Sequence, residues 1–205
     1  MPAVAVREPS DTSYLALFPD WEGRRPLRWF FAESLLEARA DSSFPTNSGG
    51  PDEDVNVYIV DLLVRWACGD PRPGVAPGAD PLLLPPARDV GPRERAEIWR
   101  RQADHRLLAL GLFDRGDLVR RRRVGWRMTE EETRARDLTV LRHGYATAAA
   151  LVDGRPECQG LATVWRKLAT RGDLYVSVLQ TLARTRLGLG ARLGEATLTR
   201  LLATA

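Results

Sequence analysis

The chain has 205 residues, of which 44% are hydrophobic and 28% charged, with a formal net charge of +3. That length and balance fit one soluble globular domain with a substantial core and exclude wholesale disorder. No apolar run approaches the roughly 20 residues of a membrane span, and residues 1–10 carry no basic cluster ahead of an apolar run. No secretory signal is therefore read, and the expected location is the cytoplasm of a bacterium.

Residues 1–25 mix Pro, Ser, Asp and Gly with Tyr14, Leu15, Leu17 and Phe18, an irregular N-terminal arm that Tyr14, Phe18 and Trp21 would pin to the core. Pro26 stands where a helix begins, because proline's missing N–H is no loss in the first turn. Leu27, Phe30, Phe31, Leu35 and Ala38 follow at helical spacing and predict a helix ending near Arg39 or Ala40. After a loop over 41–51, Asp52, Glu53 and Asp54 put negative charge where the helix macrodipole favours it. Val55, Tyr58, Ile59, Leu62, Leu63 and Trp66 then form an unbroken stripe, which predicts a helix over 53–68 with Gly69 as its stop.

Residues 69–92 hold seven prolines and cannot be a regular helix. A connection of that length inside a domain is often functional. Leu82, Leu83 and Leu84 are an apolar tooth within it, read either as a pin to the core or as a docking motif for another chain. Pro92 opens a third helix with Ala96, Trp99, Ala103, Leu107 and Leu110 on one face and Arg93, Arg95, Arg100 and Arg101 on the others, broken by the Gly-containing stretch 111–117.

Residues 118–128 are dominated by Arg120, Arg121, Arg122 and Arg123 and take no assigned element. Thr129 with Glu132 three residues later reads as a capping box that starts a helix over 130–152. That helix carries two apolar stripes, Leu138, Leu141, Tyr145, Ala148 and Val152, then Val140, Gly144, Thr147 and Leu151. A helix with two faces to hide belongs inside a bundle. Leu161, Val164, Trp165 and Leu168 predict another helix closed by Gly172, and Asp173 would cap the next, with Leu174, Val178, Leu179 and Leu182 in the core. Gly188, Gly190 and Gly194 disturb the tail before Leu198, Leu201 and Leu202 give a last amphipathic turn.

With no alternating run long enough for a sheet, the expected fold is all-α. It is a single-domain bundle of six to seven helices around 130–152, with an irregular arm over 1–25, a helical domain over 26–205 and the Pro-rich loop inside it.

Little in the chain carries chemistry. His105 and His143 stand in no Glu-x-x-His or His-x-x-x-His pairing, so no metal site or cofactor is read. Asp137 and His143, six residues apart on one helix, differ by about 120° in direction. No Gly-x-Ser-x-Gly occurs, and Gly188, Gly190 and Gly194 lack the register of a phosphate cradle, so no catalytic residue is named. Cys68 and Cys158 are expected to be buried or half-buried free thiols.

Charge is more informative. Residues 1–70 hold six Arg against twelve acids, and residues 88–142 hold fifteen Arg against ten. Either the acidic third packs on the basic remainder or the asymmetry serves a partner. Four consecutive guanidiniums exceed what internal carboxylates can satisfy, so Arg120, Arg121, Arg122 and Arg123, extended by Arg115, Trp126 and Arg127, are read either as a solvated face balanced by Glu130, Glu131 and Glu132 or as a candidate basic contact patch. The leading expectation is a non-enzymatic adaptor or regulatory subunit whose partner is a protein with an acidic surface. The alternative is a nucleic-acid-binding protein using the patch on phosphates, and the third is an enzyme or small-molecule binder with an inter-helical pocket.

Overall fold

The structure, a computed structural model, describes residues 25–42, 44, 52–68, 90–113 and 130–187. Among them every regular element is helical: α1 (Arg25–Asp41), α2 (Glu53–Ala67), α3 (Pro92–Phe113), α4 (Glu130–Val152), a short 3-10 turn at Pro156–Cys158, and α5 (Gln159–Thr185). The all-α class holds, and no helix among the described residues is long and apolar enough to cross a membrane. The arm over 1–24, the body of the Pro-rich loop, the capping Thr129 and the last amphipathic turn lie outside the described residues.

Helices α3, α4 and α5 pack on one another, while α1 and α2 pair and lie against α5. The two-striped helix, α4, sits between α3 and α5 as its pattern requires. Leu141, Tyr145, Ala148 and Val152 of one stripe are buried, as are Val140 and Gly144 of the other, and Leu138, Thr147 and Leu151 are half-buried. α2 also follows its stripe, running to Ala67 with Cys68 as the C-cap.

Two predicted helix breaks are corrected. α3 continues through Gly111 to Phe113, and α5 runs through Gly172, so the two helices expected there are one with a kink at Arg171 (φ −119°, ψ 23°). These glycines serve contact. A Cβ on Gly111 would stand 2.5 Å from Leu179 Cβ, one on Gly172 2.5 Å from Leu141 Cδ2, and one on Gly144 3.0 Å from Ala103 Cβ. Each marks a seam where the backbone of one helix meets a side chain of the next, and the neighbouring helix supplies the packing that outweighs glycine's poor propensity.

Four burial expectations also change. Phe30 and Leu174 are exposed; Phe30 is displaced because the buried side of α1 includes Arg28, Ser34 and Arg39 beside Phe31, Leu35 and Ala38. Cys158 is buried as expected, whereas Cys68, the C-cap of α2, is exposed. Arg100, expected on an outer face of α3, is buried.

Candidate functional site

The most concentrated polar chemistry among the described residues surrounds Asp104 of α3. Its Oδ1 accepts hydrogen bonds from Tyr58 Oη at 2.6 Å and from Tyr145 Oη at 2.8 Å. Its other oxygen pairs with Arg100 Nη1. Arg100 Nε donates to Glu97 Oε2 at 2.8 Å, and Arg101 Nε donates to Glu97 Oε1 at 2.9 Å. The network thus runs from the interior to the surface and joins α2, α3 and α4 through one carboxylate.

Local sequence explains half of this. Arg100 and Asp104 are four apart on one helix, neighbours on its surface. Their burial depends on the two phenols arriving from other helices. Burial, then the Asp104 charge, pushes the Tyr58 and Tyr145 hydroxyls well above the usual tyrosine range. For Arg100, burial opposes the charged form, but Asp104 and Glu97 more than reverse it and raise its pKa. Burial likewise opposes ionisation of Glu97, yet Arg100 and Arg101 hold it down to about 2. Both tyrosines therefore stay neutral donors and Glu97 stays ionised across the physiological range. The arrangement is suited to locking three helices together, since every strong donor meets an acceptor.

Other buried pairs close the remaining seams. Arg28 Nη2 meets Asp61 at 2.9 Å and Arg106 Nη1 meets Asp137 at 3.0 Å. At the start of α2, Asp52 receives Arg171 of α5 at 3.2 Å and Arg39 of α1 at 3.6 Å. Lys167 Nζ lies 2.8 Å from both oxygens of Asp54, and Glu37 pairs with Arg186. Part of the acidic N-terminal third therefore neutralises bases of α5, the packing explanation of the charge asymmetry.

His143 is exposed on α4 and meets the Trp99 ring edge-on at 5.4 Å. Tyr145, two positions on, points into the Asp104 network. The two do not share a site. Among the described residues no group of three or more His, Cys, Asp or Glu is placed to hold a metal ion.

The outer side of α1 inverts the pattern of the interior. Trp29 is 66% exposed, Leu36 57% and Phe30 44%. Trp29 and Leu36 are seven residues apart, two turns along one face, with exposed Glu33 between them and exposed Ala40 a turn beyond. Sequence reasoning placed Phe30 in the core and did not single out Trp29 or Leu36; the available signal was that Trp29 and Leu36 fall off the core stripe yet on one line with each other. The basic patch of Arg115, Arg120, Arg121, Arg122, Arg123, Trp126 and Arg127, and the tooth of Leu82, Leu83 and Leu84, lie outside the described residues. Comparison of the chain with protein-family models, curated proteins and solved structures found no match in any of the three.

Proposed function

We propose that this protein is a non-enzymatic cytoplasmic adaptor or regulatory subunit that acts by holding another macromolecule. The exposed pair Trp29 and Leu36 on one line of α1, with Phe30 exposed beside it, carries this reading. Large apolar side chains grouped on a helix face are disfavoured in water and recur at contact surfaces, where tryptophan is among the residues that contribute most to binding. The arginine patch and Leu82, Leu83 and Leu84 are proposed as further contact segments, the patch for an acidic protein surface. For the whole chain we propose a single-domain bundle of six to seven helices.

The test is affinity purification from the host with and without nuclease, comparing wild type with Trp29→Glu combined with Leu36→Glu. A partner that survives nuclease and is lost with the double variant is the expected result. Equal recovery with both chains would remove α1 from the reading.

The second reading, nucleic-acid binding, is favoured by six arginines within residues 115–127. Phosphate contacts release counterions, so affinity would fall steeply with salt, and replacing Arg121 and Arg122 by Ala would flatten that slope by about two contacts' worth. Undetectable binding at low salt, or a flat salt profile, sinks this reading.

A further inference from the structure

We propose that α1 and α2 open from the α3–α4–α5 bundle as one unit, and that the seam holding them there is a charge latch released by ionic strength. The division of the buried polar contacts is the first argument. Among the described residues, the ion pairs whose two side chains are both 10% exposed or less each stay within one unit. Arg28–Asp61 and Arg39–Asp52 tie α1 to α2 and its N-cap, Arg100–Asp104 lies along α3, and Arg106–Asp137 ties α3 to α4.

Close backbone approach is divided in the same way. Gly111 against Leu179, Gly144 against Ala103 and Gly172 against Leu141 each join two helices of the α3–α4–α5 bundle. Opening of α1 and α2 therefore strands no buried charge in what remains, and this removes the largest penalty such a motion meets. Asp104 gives up Tyr58 but keeps Tyr145 and Arg100. Proteins open locally in cooperative units of this kind, each retaining its own contacts.

The sign of the pairs that cross the seam is the second argument. Asp54 meets Lys167 at 2.8 Å, Asp52 meets Arg171 at 3.2 Å, and Glu37 meets Arg186. Each time the carboxylate belongs to the α1–α2 side and the base to α5. The three bases are 26%, 24% and 45% exposed, so dissolved ions reach and weaken these pairs, while the buried pairs inside each unit are screened much less. Raised ionic strength thus acts on the seam and spares both interiors. Opening bares Lys167, Arg171 and Arg186 on α5, together with the Tyr175 ring that meets Phe44 at 5.1 Å.

The test is hydrogen exchange of the full chain, read by mass spectrometry. Helices of 17 and 15 residues are marginal in water by themselves, so the amides of α1 and α2 exchange once the unit opens. They are expected to exchange together, and about tenfold or more faster than the buried amides of α3 and α4. Raising NaCl from about 0.01 M to about 1 M shortens the screening length from roughly 30 Å to about 3 Å. That change is expected to speed exchange in α1 and α2 by about tenfold, the scale of three partly exposed pairs, and to leave α3 and α4 within about twofold. Lys167→Met with Arg186→Gln is expected to speed the same amides at low salt and to remove most of their salt response. The salt titration uses the unaltered chain and stands without the variant. Protection of α1 and α2 equal to that of α3 and α4, or exchange of one helix without the other, overturns the unit. A salt response spread evenly over all the helices, or one unchanged in a folded double variant, overturns the latch.

Discussion

The Asp104 joint and the outer side of α1 are opposites. In the joint, polar groups from three helices are buried and matched donor to acceptor; on α1, a tryptophan and a leucine face water while two arginines of the same helix point inward. The difference teaches that burial here follows pairing rather than polarity. Charge is carried inside wherever a carboxylate waits for it, and α1 is left with apolar surface facing water.

The sharpest way to break that contrast is Asp104→Ala. It leaves two phenols and a buried guanidinium without their common acceptor, and the expected loss is about 3–5 kcal/mol, the cost of stranding one partner of a buried pair. Thermal and denaturant unfolding would measure it, and a loss under about 1 kcal/mol would show that the joint is ornamental.

Next in size is the alkaline limit. Tyr58 and Tyr145 have folded-state values above the ordinary tyrosine value, so above pH about 10 the folded chain keeps protons that the unfolded chain releases. Stability is intact below that point and falls as pH rises past it, by about 1.4 kcal/mol per pH unit for each group. Tyrosinate absorbance from these two residues should appear together with loss of helical circular dichroism. Their ionisation near pH 10 with the helices intact would contradict the burial described.

Much of the fold was legible in the chain, and the reasons are local. α2 announces itself because Asp52, Glu53 and Asp54 precede an unbroken stripe, and α4 because its two stripes require a neighbour on each side, with Ala135, Thr139, Arg142, Ala146 and Ala150 left on its exposed face. The failures share one cause. Gly111 and Gly172 read as stops when only their own helices are considered, and their purpose lies in Leu179 and Leu141 on other helices. Arg100 and Asp104 were visible as a four-residue pair, but nothing near them in sequence announces Tyr58 or Tyr145, 46 and 41 residues away from Asp104. On α1, apolar residues occur nearly all round, so periodicity alone could not tell the inner line from the outer.

A smaller effect tests the glycine seams. Gly111→Ala sets a methyl against Leu179, for an expected net loss of about 1–2 kcal/mol once alanine's better helix propensity offsets part of the overpacking. Gly160→Ala, where an added Cβ meets nothing within 4 Å, should be neutral or stabilising by under about 1 kcal/mol. Equal effects at both sites would mean that helix propensity alone is at work. Smallest of all is Trp29→Ala with Leu36→Ala, expected to stay within about 0.5 kcal/mol of wild type because little of either side chain is buried. A larger destabilisation would make the α1 face structural and end the contrast.

Lys167 is the only lysine among the 30 basic residues, and its Nζ is held against both oxygens of Asp54 across the seam between α2 and α5. The molecule thus has a single side-chain amine, guarded by the docking of one helix on another. The Lys167 side chain is 26% exposed, so the pair with Asp54 slows an acylating reagent that spares guanidinium groups, and loosening of α2 from α5 speeds it. The rate of labelling at residue 167 is therefore a built-in gauge of that seam, read by mass without any engineered probe.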